Sequence, residues 1–168
     1  MANVHAVVRT DLMFGTDVRS GLVSVEYLGA DGATPTAIEN GNVLKIGALK
    51  DGEREVYVGG DVAASDDLAN VVLIATPEVM YDEHKHNIDE FVNEAGDICR
   101  GYRLHVGDVF SVTEEALANA SPAVGQVVEL AAGTKLSNVA SASGATKVGT
   151  IIAVETAGRY TYYVIKVD

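Results

Sequence analysis

A six-residue pattern, a glycine with large apolar residues at the second, third and fifth positions after it, occurs four times in this chain of 168 residues. The copies begin at Gly41, Gly107, Gly125 and Gly149, and a valine precedes the last three glycines. Glycine turns the backbone through positive φ without steric cost, and the residues after it suit a pleated strand. Consecutive apolar residues point to opposite faces, so each strand buries side chains on both sides. The pattern predicts a barrel or a sandwich.

The rest of the chain contains further strand signals at short, turn-separated intervals. Residues 70–76 form a continuous apolar run, which predicts a strand buried on both faces. One segment is typical of a helix, with Asn87 as N-cap, Glu90 as its capping-box partner and apolar residues at helical spacing. The sequence therefore predicts a mainly β, barrel- or sandwich-like single domain with one short helix at about residues 87–95.

The first twenty residues differ in character from the remainder. Residues 1–20 are mixed in polarity and contain a short apolar group, Leu12, Met13 and Phe14. We interpret them as an N-terminal arm or edge strand that orders against a partner. Residues 21–168 are expected to form the β-rich domain, with a candidate subdivision near residues 62–70.

Composition limits the classes of partner. The formal net charge is −12, and the twelve basic residues form no cluster, which opposes binding to nucleic-acid phosphates. No apolar run approaches the length of a membrane span, and no secretory signal is recognisable. We expect a protein made in the cytoplasm that binds neither nucleic acid nor membrane.

His84 and His86 are the best candidate metal ligands. On a strand they would share a face, and with a nearby carboxylate they could hold zinc or nickel. A charged connection ahead of a helix is more often simply solvated. The preferred interpretation is therefore that no metal is bound.

Cys99 is the only cysteine, which excludes an intrachain disulfide and a cysteine-ligated zinc site. A catalytic thiol needs a pKa lowered by an imidazolium or a helix N-terminus, whereas Cys99 follows the end of the predicted helix. We interpret it as a buried structural residue. The carboxylates are scattered as adjacent pairs, so the sequence predicts no catalytic residues and no cofactor.

A basic and aromatic cluster, Arg100, Tyr102 and Arg103, is the other candidate for partner contact, since arginine and tyrosine are common interface hot spots. The full set of predicted contact residues is Leu12, Met13, Phe14, Arg100, Tyr102 and Arg103.

The short Met-Ala start, the valine–glycine units of the second half and the closing strand of residues 160–168 together resemble small auxiliary head proteins of tailed bacteriophages, known as decoration or cement proteins. The stretch 91–97, which leads into residues 100–107, has the same character. The resemblance covers mainly residues 70–168.

This resemblance implies a structural virion protein that binds the outer surface of an icosahedral capsid and stabilises it at junctions between major capsid subunits. It implies a location on the capsid exterior, with the major capsid protein as partner. A homotrimer is expected, because contacts that close into a ring suit a threefold lattice point.

Two alternatives come from other classes. One is a carbohydrate- or receptor-binding β module of a fibre or tail, in which Tyr81, Tyr160 and Tyr162 form an exposed aromatic platform. The other is a small β-barrel enzyme, which would need carboxylates or the two histidines to converge in one pocket. We rank capsid binding first and catalysis last.

Overall fold

A computed structural model describes residues 3–13 and 21–168 of the chain. The described residues form ten strands in two layers, and the prediction of a mainly β fold is confirmed. The strands are β1 (Leu22–Tyr27), β2 (Val43–Leu49), β3 (Val56–Gly60), β4 (Val71–Ile74), β5 (Ile98–Arg103), β6 (Val109–Val112), β7 (Val127–Glu129), β8 (Ser137–Val139), β9 (Lys147–Ala157) and β10 (Tyr160–Val167).

The first five strands close into a barrel in the order β1-β3-β2-β4-β5. The β1–β3 pair is parallel and the other four pairs are antiparallel. Apolar side chains fill the interior of the barrel. The buried residues of this cluster are Val25, Tyr27, Ile38, Leu44, Val72, Ile74 and Cys99.

The last five strands form an antiparallel sheet in the order β6-β10-β9-β7-β8, which packs against the barrel. Strand β4 joins the two layers, since all four of its residues are fully buried. Val72 and Ile74 belong to the barrel interior, whereas Val71 and Leu73 belong to the main core shared with the second sheet. The predicted burial of this strand on both faces is confirmed.

Three of the four glycine-led units make the same local structure. Gly41, Gly107 and Gly125 have φ of +85°, +95° and +90°, and they precede β2, β6 and β7. In each unit the glycine N–H donates to the carbonyl of a residue on another strand. The N–H of that residue donates back to the carbonyl of the residue that follows the glycine. The paired residues are Ile74, Val167 and Ile151, respectively.

The fourth unit has a different role. Gly149 lies inside β9 and does not have positive φ. A Cβ at this position would collide with the backbone carbonyl of Lys166 on β10. This glycine is therefore required for close approach of two strands and not for a turn.

The predicted helix over residues 87–95 is reduced to a single 3-10 turn, Ile88–Glu90. The capping box of Asn87 and Glu90 is present, so the start was identified correctly. The helix does not continue because Asn93 pairs with Ile38 through two backbone hydrogen bonds of 2.9 and 3.0 Å. Backbone pairing with a distant segment of the same chain thus replaces the helical hydrogen bonds that the apolar spacing predicted. Further 3-10 turns are Thr10–Leu12, Leu68–Asn70 and Glu114–Ala116.

The chain passes from the barrel to the second sheet between Arg103 and Val109. Residues 62–70 connect β3 to β4, and Val62 pairs with Gly133 of the second layer. This connection holds the layers together. Residues 3–13, called the arm below, lie beside β6 at the edge of the second sheet.

Candidate interaction surface

The arm extends the second sheet beyond β6. Val8 forms an antiparallel bridge with Val112, and the Arg9 N–H donates to the carbonyl of Ser111 at 3.0 Å. Thr113 exchanges two bonds with Val7, one through its backbone N–H and one through its hydroxyl oxygen, which accepts at 3.1 Å. The arm therefore covers the backbone edge that β6 would otherwise expose.

Side chains of the arm enter two apolar clusters. Ala6 and Val8 are buried in the main core, whereas Val7 packs with Tyr160 and Tyr162 on the other face of the sheet. This alternation follows from extended backbone, in which successive side chains point to opposite faces.

Three carboxylates hold the first part of the arm. Glu115 accepts hydrogen bonds from the backbone and side-chain amides of Asn3 at 3.2 and 3.1 Å. Glu39 accepts from the Ala6 N–H at 3.3 Å, and its other oxygen lies 2.8 Å from Nδ1 of His5. Asp89 supplies the third carboxylate. Backbone amides of an extended segment are thus bound by charged acceptors, which make the stronger kind of hydrogen bond.

The third carboxylate, Asp89, is fully buried. It accepts from the Tyr160 hydroxyl at 2.7 Å, from Arg159 at 2.9 Å and from the Val4 N–H at 3.2 Å. Burial alone would raise the pKa of Asp89, but the bonds from Tyr160 and Val4 and the charge of Arg159 outweigh it, and the pKa lies below its ordinary value. The group is therefore an ionised anchor for the arm.

Two arginine–tyrosine–aspartate groups lie side by side here. The Arg159 guanidinium lies 5.2 Å from the ring centre of Tyr160, and the Arg9 guanidinium lies 5.3 Å from that of Tyr162. Arg9 also donates two hydrogen bonds to Asp11, at 2.9 and 2.8 Å. The two tyrosine rings are 6.2 Å apart and tilted by 55°. Each guanidinium is held by a ring and a carboxylate, so its position is fixed before any partner arrives.

A cavity of about 370 Å³ opens beside these groups. Its lining includes Thr10, Asp11, Glu78, Ile88, Tyr160 and Tyr162. Burial raises the pKa of Glu78, which accepts from Asn40 at 3.3 Å and from Thr10 at 3.5 Å. The cavity thus lies between the arm and the connection that follows Pro77.

The predicted contact residues of the arm have separate positions. Leu12 is exposed, and Met13 is half-buried against the main core. Phe14 lies outside the described residues. Their role in partner contact stays a prediction.

The predicted contact residues on β5 also differ in their exposure and contacts. Arg100 is exposed, whereas Tyr102 packs against the main core. Arg103 donates to the carbonyl of Ala69 at 2.8 Å, so it is engaged within the chain. Residues 104–108 follow β5 as the connection to β6.

His84 and His86 are both exposed. They are not on a strand, because the Asp82 side chain accepts from the His84 N–H at 2.9 Å and forms a turn. Within residues 3–13 and 21–168, no group of three or more potential ligands from histidine, cysteine, aspartate and glutamate is close enough to hold a metal ion.

Cys99 is buried in the barrel interior, on β5. Burial, with smaller contributions from Asp97 and Glu26, raises the pKa of this thiol to about 12. The expectation of burial is confirmed. The reason given from the sequence was wrong, because the helix predicted over residues 87–95 is a single 3-10 turn that ends at Glu90, well before this cysteine.

The aromatic platform expected for the carbohydrate-binding alternative is not formed by these tyrosines. Tyr160 and Tyr162 are buried, and only Tyr81 is exposed. Sequence reasoning missed Arg9, Glu39, Asp89 and Arg159. Asp89 resembled a first-turn helix residue, and the others lie in unrelated segments, so no local pattern marks them.

No helix in the described part of the chain is long and apolar enough to cross a membrane. Comparison with protein-family models, with curated proteins and with solved structures found no match to this chain.

Proposed function

We propose that this protein is a structural virion protein that binds the outer surface of an icosahedral capsid, at junctions between major capsid subunits, and stabilises the shell. It acts as a homotrimer and performs no catalysis. The proposal starts from the resemblance of residues 70–168 to phage decoration proteins and is supported by three physical features.

Protection of the sheet edges is the observation that carries the proposal. The arm pairs with β6 at one edge of the second sheet. At the other edge, Leu117 forms a parallel bridge with Leu136 just before β8, and the Ala118 N–H donates to Leu136 at 2.8 Å. The barrel is closed. Covered edges prevent strand-to-strand polymerisation, which matters for a protein that is crowded at a regular lattice.

Net charge and repetition are also compatible with this role. A charge of −12 keeps free copies apart and costs nothing on the outside of a shell, away from DNA. A lattice presents many equivalent sites to a multivalent trimer. Modest contacts per copy are then sufficient, because linked copies bind with avidity.

Co-sedimentation with DNA-free heads tests the proposal. The heads are those of the phage that carries the gene, prepared with the gene deleted. The purified protein is expected to pellet with these heads and to saturate at a fixed ratio to the major capsid protein. Light scattering of the purified protein is expected to give the mass of a trimer. Absence of pelleting at saturating protein, or specific binding on a glycan array instead, would reject it.

A further inference from the structure

We propose that the protein docks through one face, built from the arm and residues 77–88 and called here the arm–loop face, and that this face contacts a protein surface with lysine or arginine side chains beside aliphatic ones. The identification of that surface as the capsid rests on the proposed function. The choice of face rests on separate observations.

Exposed apolar side chains concentrate on these two segments. Among the described residues, the large apolar side chains that are exposed include Val4, Leu12, Val79, Tyr81 and Ile88, all in the arm or in residues 77–88. Tyr81 is the most exposed of these side chains, at 94%. The other six lie on the barrel, the second sheet and their connections: Leu49, Ile98, Val106, Val124, Ile152 and Val154.

The two segments belong to one surface. Thr10 of the arm donates to Glu78, and Val4 is bound to Asp89, just beyond residue 88. The cavity of about 370 Å³ is lined from both sides, by Thr10 and Asp11 and by Glu78 and Ile88. A partner side chain that enters this cavity therefore touches both segments at once.

The cavity floor is preorganised. Tyr160 and Tyr162 line it but are buried, so they form a rigid floor and not a contact surface. Arg9 also lines the cavity and is held in place by the Tyr162 ring and the Asp11 carboxylate. Arginine contributes strongly to the binding energy of protein interfaces, most strongly when it is held in place before binding.

The charge of the face selects the chemistry of the partner. The arm–loop face contains four acidic residues (Asp11, Glu78, Asp82 and Glu83) against two basic ones (Arg9 and Lys85). Both basic side chains are already paired, to Asp11 and Glu94. The remaining carboxylates favour a partner with lysine or arginine side chains, since opposite potentials speed association and fix orientation.

Head binding by matched variants tests the face. The double substitution Val79→Ser with Tyr81→Ser is expected to weaken binding to gene-deleted heads at least tenfold, with an unchanged melting temperature because both side chains are exposed. The control is Val106→Ser with Val124→Ser, which are equally exposed apolar residues elsewhere on the molecule. We expect the control to bind like the wild type.

A charge-reversal pair tests the chemistry. Glu83→Lys is expected to weaken head binding several-fold, and the loss should shrink at high salt. Glu53→Lys, an exposed residue of the turn between β2 and β3, makes the same charge change away from the face and should have no effect.

The outcomes separate this inference from the proposed function. If the wild type fails to bind heads, the proposed function fails. If the wild type binds and the Val79/Tyr81 variant binds equally well, the face is wrong. The choice of face is also wrong if the Val79/Tyr81 variant no longer forms a trimer, because residues 77–88 would then contact a second copy of the chain. It is likewise wrong if Glu83→Lys strengthens binding to the heads.

Discussion

The Tyr160 hydroxyl donates a 2.7 Å hydrogen bond to the buried carboxylate of Asp89, and that carboxylate also binds the backbone N–H of Val4. One side chain therefore connects the end of the long β9–β10 hairpin to the arm. Because Arg159 adds its charge to the same group, the arm is locked to the sheet by a cluster that forms only after distant segments meet. The arm is thus held to the sheet by these polar contacts as well as by its buried apolar side chains.

Asp89→Asn is predicted to destabilise the fold by about 2 kcal/mol, because a buried charged acceptor is lost while Tyr160 and Arg159 keep their donors. Urea unfolding measures the change. Asp11→Asn is the matched control, since Asp11 is 64% exposed in its ion pair with Arg9 and surface pairs contribute less than about 1 kcal/mol. Equal effects of the two substitutions would contradict the role of Asp89 as an anchor.

Acid is predicted to release the arm before the core unfolds. The pKa values of Asp89 and Glu115 lie below their ordinary 3.8 and 4.5, because hydrogen bonds and charge outweigh the burial that would raise them. A carboxyl group with a lowered pKa in the folded state contributes stability that is complete above its ordinary value and is lost as the pH falls through the folded value. The protection factors of the amides of residues 4–9, which correct for the intrinsic pH dependence of exchange, should therefore fall below pH 4.5, ahead of those in β4.

Glu78 has the opposite effect on the pH dependence of stability. Burial raises its pKa, so the stability that it contributes is present below the ordinary pKa of 4.5 and is lost as the pH rises through the pKa of the folded state. Glu78→Gln should consequently steepen the loss of stability on acidification.

The release of the arm by acid has its own contradicting outcome. If the amides of the arm lose protection together with those of β4 at every pH, the carboxylates do not hold the arm independently of the core.

The sequence predicted the parts of the fold that depend on local physics. Positive φ at Gly41, Gly107 and Gly125 and burial of β4 on both faces follow from residue type and period alone. The helix over residues 87–95 failed because its local spacing competes with pairing between Asn93 and Ile38, which are far apart in the chain. The role of Gly149 was missed for the same reason, since the close neighbour that requires it is Lys166 on another strand.

The candidate surface was less predictable than the fold. Tyr160 and Tyr162 alternate with other residues along a strand, and nothing in that pattern shows that the arm and two arginines cover their face of the sheet. Glu39, Asp89 and Glu115 lie in three unrelated segments of the sequence. Only the folded chain brings them to one extended segment.

Cys99 is predicted to be unreactive in the native protein. With a pKa of about 12, only about one thiol in ten thousand is ionised at pH 8, and the side chain is enclosed in the barrel. A thiol reagent such as DTNB should label it only on the timescale of unfolding, and labelling should become immediate in denaturant. Stoichiometric labelling within seconds under native conditions would mean that the barrel opens readily.

The glycines of the repeated unit are predicted to differ in sensitivity to alanine. Gly107→Ala should cost about 1 kcal/mol, because a Cβ there meets no neighbour and only the left-handed backbone is strained. Gly41→Ala should cost more, since the added Cβ also approaches the side chain of Ala116. Gly149→Ala should cost more than about 3 kcal/mol or abolish folding, because the clash is with the backbone of β10 and cannot be relieved by a side-chain rotation. Denaturant unfolding measures the stability of the variants that fold, and soluble yield ranks a variant that does not fold. Equal stability of Gly107→Ala and Gly149→Ala would mean that β9 and β10 do not approach each other as closely as described.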